Sequence, residues 1–209
     1  SARIVSYVKK PRISRPMFVV KSVIKMSNGR ILYEVRDVNH HSSSYGRVGY
    51  ITVNSEYVKN TYYQTKHSTI TVINPKGING YKAKNLTGKA KHYAQGKVLH
   101  VKGIVKHNLT TRYVLNNGQY ITANKKLIKM GKQKFAAKIK AKQRINVYRD
   151  VNLKKKVAGK HYKANTVLNV RQLNYSREND VSTLGVKRYL VKGGYVTGNT
   201  RFVKVIRIK

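Results

Sequence analysis

Short runs of β-branched, aliphatic and aromatic residues alternate with asparagine- and glycine-rich breaks along most of the chain. Val98-Leu99-His100-Val101, Tyr113-Val114-Leu115 and Tyr120-Ile121-Thr122 are three such runs. Each is too short for a stable helix and carries side chains that suit a pleated surface, so a many-stranded β protein is expected. Asn116-Asn117-Gly118, between the last two runs, reads as a hairpin turn. The best helical alternative is Lys132 to Arg144, where Phe135, Ala136, Ile139 and Ala141 fit a helix face only loosely. Ile145-Asn146-Val147-Tyr148 then alternates, and a linker followed by a strand is the expectation. The longest apolar run, Met17-Phe18-Val19-Val20, is far short of the roughly 20 residues that cross a bilayer, so no membrane span is expected.

The chain also repeats itself. Tyr50-Ile51-Thr52-Val53-Asn54 recurs as Tyr120-Ile121-Thr122-Ala123-Asn124 and as Tyr195-Val196-Thr197-Gly198-Asn199, each followed by an apolar pair and a lysine: Lys59, Lys129 and Lys204. The pattern itself reads first as structural, a strand leading into an asparagine turn. A second element is shared by the last two copies: Lys91-His92-Tyr93 precedes Val98-Leu99-x-Val101 as Lys160-His161-Tyr162 precedes Val167-Leu168-x-Val170. Ile70 and Ile145, each fifty residues before its tyrosine, are expected to be equivalent strand starts. Phe18-Val19-Val20 stands in the first copy where Leu99-x-Val101 stands in the second. These repeats divide the chain into modules of 1–65, 66–131 and 132–209. The expected fold class is all-β, with three tandem small SH3-like barrel modules.

Charge changes the picture more than any motif does. The 209 residues carry 45 Lys and Arg against 6 Asp and Glu, a net charge of +39. By module, 11 cations face 3 acids, 13 face none and 21 face 3, giving +8, +13 and +18. Such a chain repels itself and attracts polyanions in a salt-dependent way. With no carboxylate from residue 57 to residue 149, acid/base catalysis lacks its usual groups. The chain has no Cys, so thiol nucleophiles, disulfides and thiolate metal sites are absent. Its seven His, His40-His41 among them, have no carboxylate at ligand spacing. Ser42-Ser43-Ser44 is a low-complexity loop, and neither a G-x-S-x-G nor a phosphate-binding glycine loop is present. No enzyme activity, metal or cofactor is expected. No apolar signal core follows residue 1, as expected of a mature or excised chain.

The sequence from Thr111 to Lys126, with the upstream Lys-His-Tyr and Val-Leu-x-Val elements, resembles the basic, Tyr- and Lys-rich repeats that attach surface-layer and other exported proteins of lactobacilli to their cell walls. The resemblance covers the second and third modules and the Tyr50 to Lys59 end of the first. It implies an extracellular location in the cell wall or surface layer of a Gram-positive bacterium. It also implies non-covalent attachment to an anionic wall polymer, teichoic or lipoteichoic acid. Other surface-layer subunits would be met through regions outside this chain. The GW modules of other Gram-positive surface proteins are similar in size and basicity, but this chain has no Trp.

The expected ligand-binding residues are the repeated ones: Lys91, Tyr93, Arg112 and Lys129, with Lys160, Tyr162, Arg188 and Lys204, and Lys59 in the first module. Each arginine precedes a tyrosine, where a guanidinium can grip phosphate bidentately. The competing class is a basic β protein that binds nucleic acid. Against it stand 31 Lys to 14 Arg, only 3 Phe, and no RNP1-like, KH-loop or helix-turn-helix pattern.

Overall fold

The computed structural model describes residues 6–40 and 42–209; residues 1–5 and His41 lie outside the described residues. The runs at Val98, Tyr113, Tyr120 and Ile145 are all strands, and the protein is all-β. Among the described residues the sole helical element is a 3-10 turn at Arg12–Ser14, and no helix is long and apolar enough to cross a membrane.

The first strands are β1 (Phe18–Lys25), β2 (Ile31–Asp37) and β3 (Val48–Thr52), an antiparallel meander. Next come β4 (Thr69–Val72), β5 (Ile78–Tyr81), β6 (Lys89–Tyr93), β7 (Val98–His107), β8 (Thr110–Leu115), β9 (Tyr120–Thr122) and β10 (Ile128–Met130). They form one sheet in the order β10-β4-β7-β8-β9-β5-β6. The chain continues through β11 (Ala136–Ala141), β12 (Ile145–Tyr148), β13 (Lys156–Tyr162), β14 (Val167–Asn169), β15 (Gln172–Tyr175), β16 (Lys187–Val191), β17 (Gly194–Thr197) and β18 (Val203–Ile208). These make two sheets, β14-β11-β18 and β13-β12-β17-β16-β15. None of the sheets closes on itself.

The middle and C-terminal sets share one strand order once β14 and β15 are seen as two halves of a strand like β7. A local irregularity explains the split. The register of β7 shifts between Val101 and Gly103, and that of β1 between Val20 and Ser22. At the matching place, between Asn169 and Gln172, the third copy leaves the ladder altogether. A bulge at a fixed position bends the strand from one half of the fold to the other.

The meander itself occurs three times. Tyr33 opposes Ile51, Tyr113 opposes Ile121 and Tyr189 opposes Val196, which puts Tyr50, Tyr120 and Tyr195 at equivalent positions on β3, β9 and β17. The turn after each is built by the same hydrogen bonds. In each, the threonine hydroxyl accepts from the asparagine N–H, and the asparagine Oδ1 accepts from the N–H two residues on. The asparagine carbonyl then accepts from the third and fourth residues beyond. The repeated tyrosine-threonine-asparagine pattern is therefore a strand exit stabilised by side-chain mimicry of a turn.

Two expectations need correction. Ile70 and Ile145 are not equivalent: Ile70 lies in β4 opposite Leu99, and its counterpart is Ile139 in β11 opposite Leu168. Ile145 opposes Tyr162 as Ile78 opposes Tyr93. The equal spacing arose because β7 turns into β8 through Asn108 and Leu109, whereas residues 176–186 join β15 to β16. The stretch 132–144 also contains a strand, β11, which pairs with both β14 and β18. Its Ile139 and Ala141 alternate toward the core and so mimic a helix face only loosely.

Each of the larger strand sets has its own core. Ile70, Val72, Tyr113, Ile121 and Ile128 centre one, and Ile139, Val147, Val191, Val196 and Val203 centre the other. A buried amide, that of Gln95, joins the two. Gln95 donates to the carbonyls of Ile73 (3.0 Å) and Leu173 (2.9 Å) and accepts from the Leu173 N–H (2.7 Å). The first meander is thin, with Val35 its buried apolar side chain among the described residues.

The segment before that meander docks on the connection at 176–186. The Val8 N–H donates to the Val181 carbonyl, and the Lys10 ammonium donates to the carbonyls of Arg177, Asp180 and Thr183. Lys10 is 2% exposed, and its three donors match three acceptors. Lys126 similarly donates to the Arg15 carbonyl, and burial lowers its pKa to about 8.

Candidate functional site

The acids are largely consumed within local turns. The Asp37 carboxylate accepts from the Asn39 N–H and the Ser44 hydroxyl, and Glu34 accepts from Ser22. Asp150 accepts the N–H groups of Asn152, Lys154 and Lys155, which lower its pKa, the Lys155 bond most. Asp180 accepts from Ser182, and hydrogen bonds from the Ser182 and Thr183 side chains lead the effects that lower its pKa to about 2. Carboxylates bound in this way are engaged by hydroxyl and N–H groups, and among the described residues no Lys or Arg side chain donates a hydrogen bond to them.

The nine expected binding residues fall in four places. Lys91 and Tyr93 lie on edge strand β6, the Lys91 ammonium 5.8 Å from the Tyr93 ring centre. Tyr93 is buried, and its hydroxyl donates to Gln119 Oε1 (2.7 Å) and accepts from Asn117 (3.2 Å). Gly80 lies beneath it. A Cβ there would stand 2.3 Å from Gln119 Oε1 and 2.9 Å from the Tyr93 ring. Tyr93 is thus a core residue with a satisfied hydroxyl. Lys160 and Tyr162 hold the same places on β13, where the Tyr162 hydroxyl donates to the Lys192 carbonyl. Lys129 and Lys204 lie on β10 and β18, at the other end of the strand order from β6 and β13. Lys59 is exposed beyond the first asparagine turn, outside any strand.

Arg112 and Arg188 share none of these neighbourhoods. They lie on β8 and β16, on the sheet face opposite the core tyrosines Tyr113 and Tyr189 that follow them. Their hydrogen bonding matches, although Arg112 is buried and Arg188 is half-buried. In each, one terminal nitrogen donates 3.0 Å to the carbonyl of the preceding residue, and Nε is buried without a partner. Arg112 is only 8% exposed. Desolvation lowers the Arg188 pKa, while the Tyr148 hydroxyl opposes that shift.

Register defines what surrounds these arginines. Across the middle sheet, Val114, Tyr120, Tyr81 and Lys89 form one row on the arginine's face, and Arg112 with Thr122 forms the next. In the C-terminal sheet the rows are Leu190, Tyr195, Tyr148 and Lys156, then Arg188 with Thr197. Asn79 shares the face of Tyr81 and receives a hydrogen bond from His92 (3.0 Å). Asn146 and His161 are paired at the matching positions, where His161 Nδ1 lies instead near the Gly159 carbonyl (3.3 Å) and Arg144 (3.4 Å). The first meander departs from this pattern, because Leu32 opposes Thr52 where the other copies have arginine.

Sequence reading missed Tyr81, Tyr148, Lys89 and Lys156. Their signal was present as Ile78-Asn79-Gly80-Tyr81 and Ile145-Asn146-Val147-Tyr148, but pairing Ile145 with Ile70 hid it. Among the described residues, no group of three or more His, Asp or Glu comes together to hold a metal. The arrangement offers fixed cations, phenol groups and amides, the equipment for binding an anionic, hydroxyl-rich ligand.

No curated protein matches the chain. Residues 62–128 and 132–203 each match the profile of one family, and the chain belongs to it: Domain of unknown function (DUF5776).

Proposed function

We propose that the chain anchors an exported surface protein non-covalently to the wall of a Gram-positive bacterium, by multivalent binding to teichoic acid or a related anionic wall polymer. The observation that carries this reading is the uncompensated charge. Of the six acids in a chain of net charge +39, Glu34, Asp37, Asp150 and Asp180 are engaged by hydroxyl or N–H groups. A surface of this kind holds a potential of several kT and releases counterions when a phosphate polymer binds.

The repeated architecture supports it too. The shared order, with a last strand pairing to a first and a hairpin extending the far edge, is compatible with small, partly open SH3-like modules, and on this reading residues 66–131 and 132–209 are two of them. The meander of residues 1–65 belongs to a third. Each module supplies a modest number of cations, and tethering raises the effective concentration for every contact after the first. The resemblance to lactobacillal wall-binding repeats points to the same ligand. Catalysis has no part in this reading, and the surface-layer lattice is met through other regions of the protein.

Competition separates this reading from nucleic-acid binding. Protein bound to Gram-positive walls is expected to be released by soluble wall polymer at lower phosphate concentration than by single-stranded nucleic acid. Release by nucleic acid at the lower concentration would count against wall anchoring.

A further inference from the structure

The middle and C-terminal sheets present the same four side chains at the same register positions: Lys89, Tyr81, Tyr120 and Arg112 in one, and Lys156, Tyr148, Tyr195 and Arg188 in the other. We propose that each set is a subsite for a phosphodiester-linked polyhydroxy chain. This rests on the anionic-polymer reading above and adds a place and a chemistry to it.

The arginine carries the argument. A guanidinium that is nine-tenths buried needs an acceptor for each N–H, and Arg112 has the carbonyl of its own neighbour while Nε has none. Arg188 is half-buried as a whole, and it repeats the bond to its neighbour's carbonyl and the buried Nε without a partner. Two independent copies of the same unmatched cation indicate a site whose counter-charge arrives with the ligand. Phosphate suits it, since a planar guanidinium binds two phosphate oxygens at once. In the C-terminal copy the register sets Tyr148 and Tyr195 in the row next to Arg188 on the same face.

The tyrosines and the lysine set the rest of the ligand. Three strand steps separate β6 from β8 through β5 and β9, about 14 Å at the usual inter-strand spacing. A second phosphate at Lys89 and a first at Arg112 would then be linked by a unit lying over Tyr120 and Tyr81. Both rings are half-buried, which leaves phenol edges rather than open ring faces for contact. Hydroxyl groups of a polyol or sugar match such edges, whereas stacked bases need open faces. One difference separates the copies: Glu178 lies close enough to Tyr195 to raise its pKa, after desolvation, and the middle sheet has no carboxylate of its own.

The test uses the full chain with two probes of matched phosphate content, poly(glycerol phosphate) and linear polyphosphate, titrated calorimetrically at low salt. Tyr81→Phe with Tyr148→Phe is nearly isosteric and is expected to weaken poly(glycerol phosphate) binding about 5- to 10-fold while leaving polyphosphate within about twofold. Arg112→Gln with Arg188→Gln should weaken both probes by about tenfold or more. A charge-matched control at exposed positions, Lys132→Gln with Lys163→Gln, should weaken both by about twofold. If the arginine pair behaves like the lysine control, or the tyrosine pair affects both probes equally, there is no subsite, while the anionic-polymer reading stands. A parent chain that fails to bind poly(glycerol phosphate) overturns that underlying reading instead. Single-stranded nucleic acid losing the same factors in both variant pairs overturns the polyol assignment. Should the arginine variant lose its β-sheet circular dichroism, the tyrosine pair decides alone.

Discussion

Raising monovalent salt from about 50 to 200 mM is expected to weaken binding of the chain to anionic wall polymer by roughly 10²–10³-fold. Counterion release sets the size of the effect. A flexible phosphate polymer gives a log–log slope of about −0.7 per neutralised phosphate, and about six contacts give a loss of roughly 2.5 decades over that range. Six is a conservative number for this surface. The two arginines and the exposed Lys89, Lys91, Lys156 and Lys160 supply it before Lys59, Lys129 and Lys204 are counted. The slope is read from affinities at four or five salt concentrations. A slope near zero would mean that apolar or neutral hydrogen-bonding contacts dominate, contrary to the charge argument.

The largest expected effect on stability is at Tyr113. Its side chain is fully buried, its ring lies 5.8 Å from that of Tyr63, and its hydroxyl donates to the Thr65 carbonyl (3.0 Å). Burial, with the neighbouring Tyr63, also raises its pKa well above the usual phenol value, so the hydroxyl stays protonated as a donor. Tyr113→Ala would leave a cavity and an orphaned carbonyl, at a cost of about 3–5 kcal/mol. That is a large share of the stability of a repeat this size, about 3–10 kcal/mol. The middle sheet is therefore expected to unfold at a much lower urea concentration than in the parent chain. Tyr113→Phe keeps the packing and should cost only about 1 kcal/mol. Urea denaturation followed by circular dichroism distinguishes the two. Equal losses for Ala and Phe would place the hydroxyl, rather than the ring, at the centre of the core.

Much of this fold was legible in the chain because its information is local. The strand at Tyr120 alternates, Asn117-Gly118 closes the preceding hairpin with Gly118 at a φ of +82°, and Thr122 and Asn124 build the turn after it. Each of these depends on neighbours within a few residues, so the motif could be read three times without knowing what it packed against. The candidate site was harder because it is assembled by register between strands far apart in sequence. Arg112 was visible as a repeated residue. Its partners Tyr81 and Lys89 lie on β5 and β6, joined to β9 through the pairing of Tyr81 with Tyr120. Tyr93 misled for the opposite reason: a tyrosine on an edge strand reads as accessible, yet Gly80 leaves a space that its ring fills. The docking of Lys10 on residues 176–186 left no sequence signal, because its acceptors are backbone carbonyls and any sequence supplies those.

The central claim is that this chain recognises an anionic wall polymer, and retention on purified Gram-positive walls before and after extraction of that polymer tests it most directly. The account predicts strong retention on intact walls at low salt and near-complete loss on extracted peptidoglycan. Binding should return when soluble polymer is immobilised in its place. Equal retention on extracted walls, unchanged by salt, would contradict the account and assign recognition to the peptidoglycan itself.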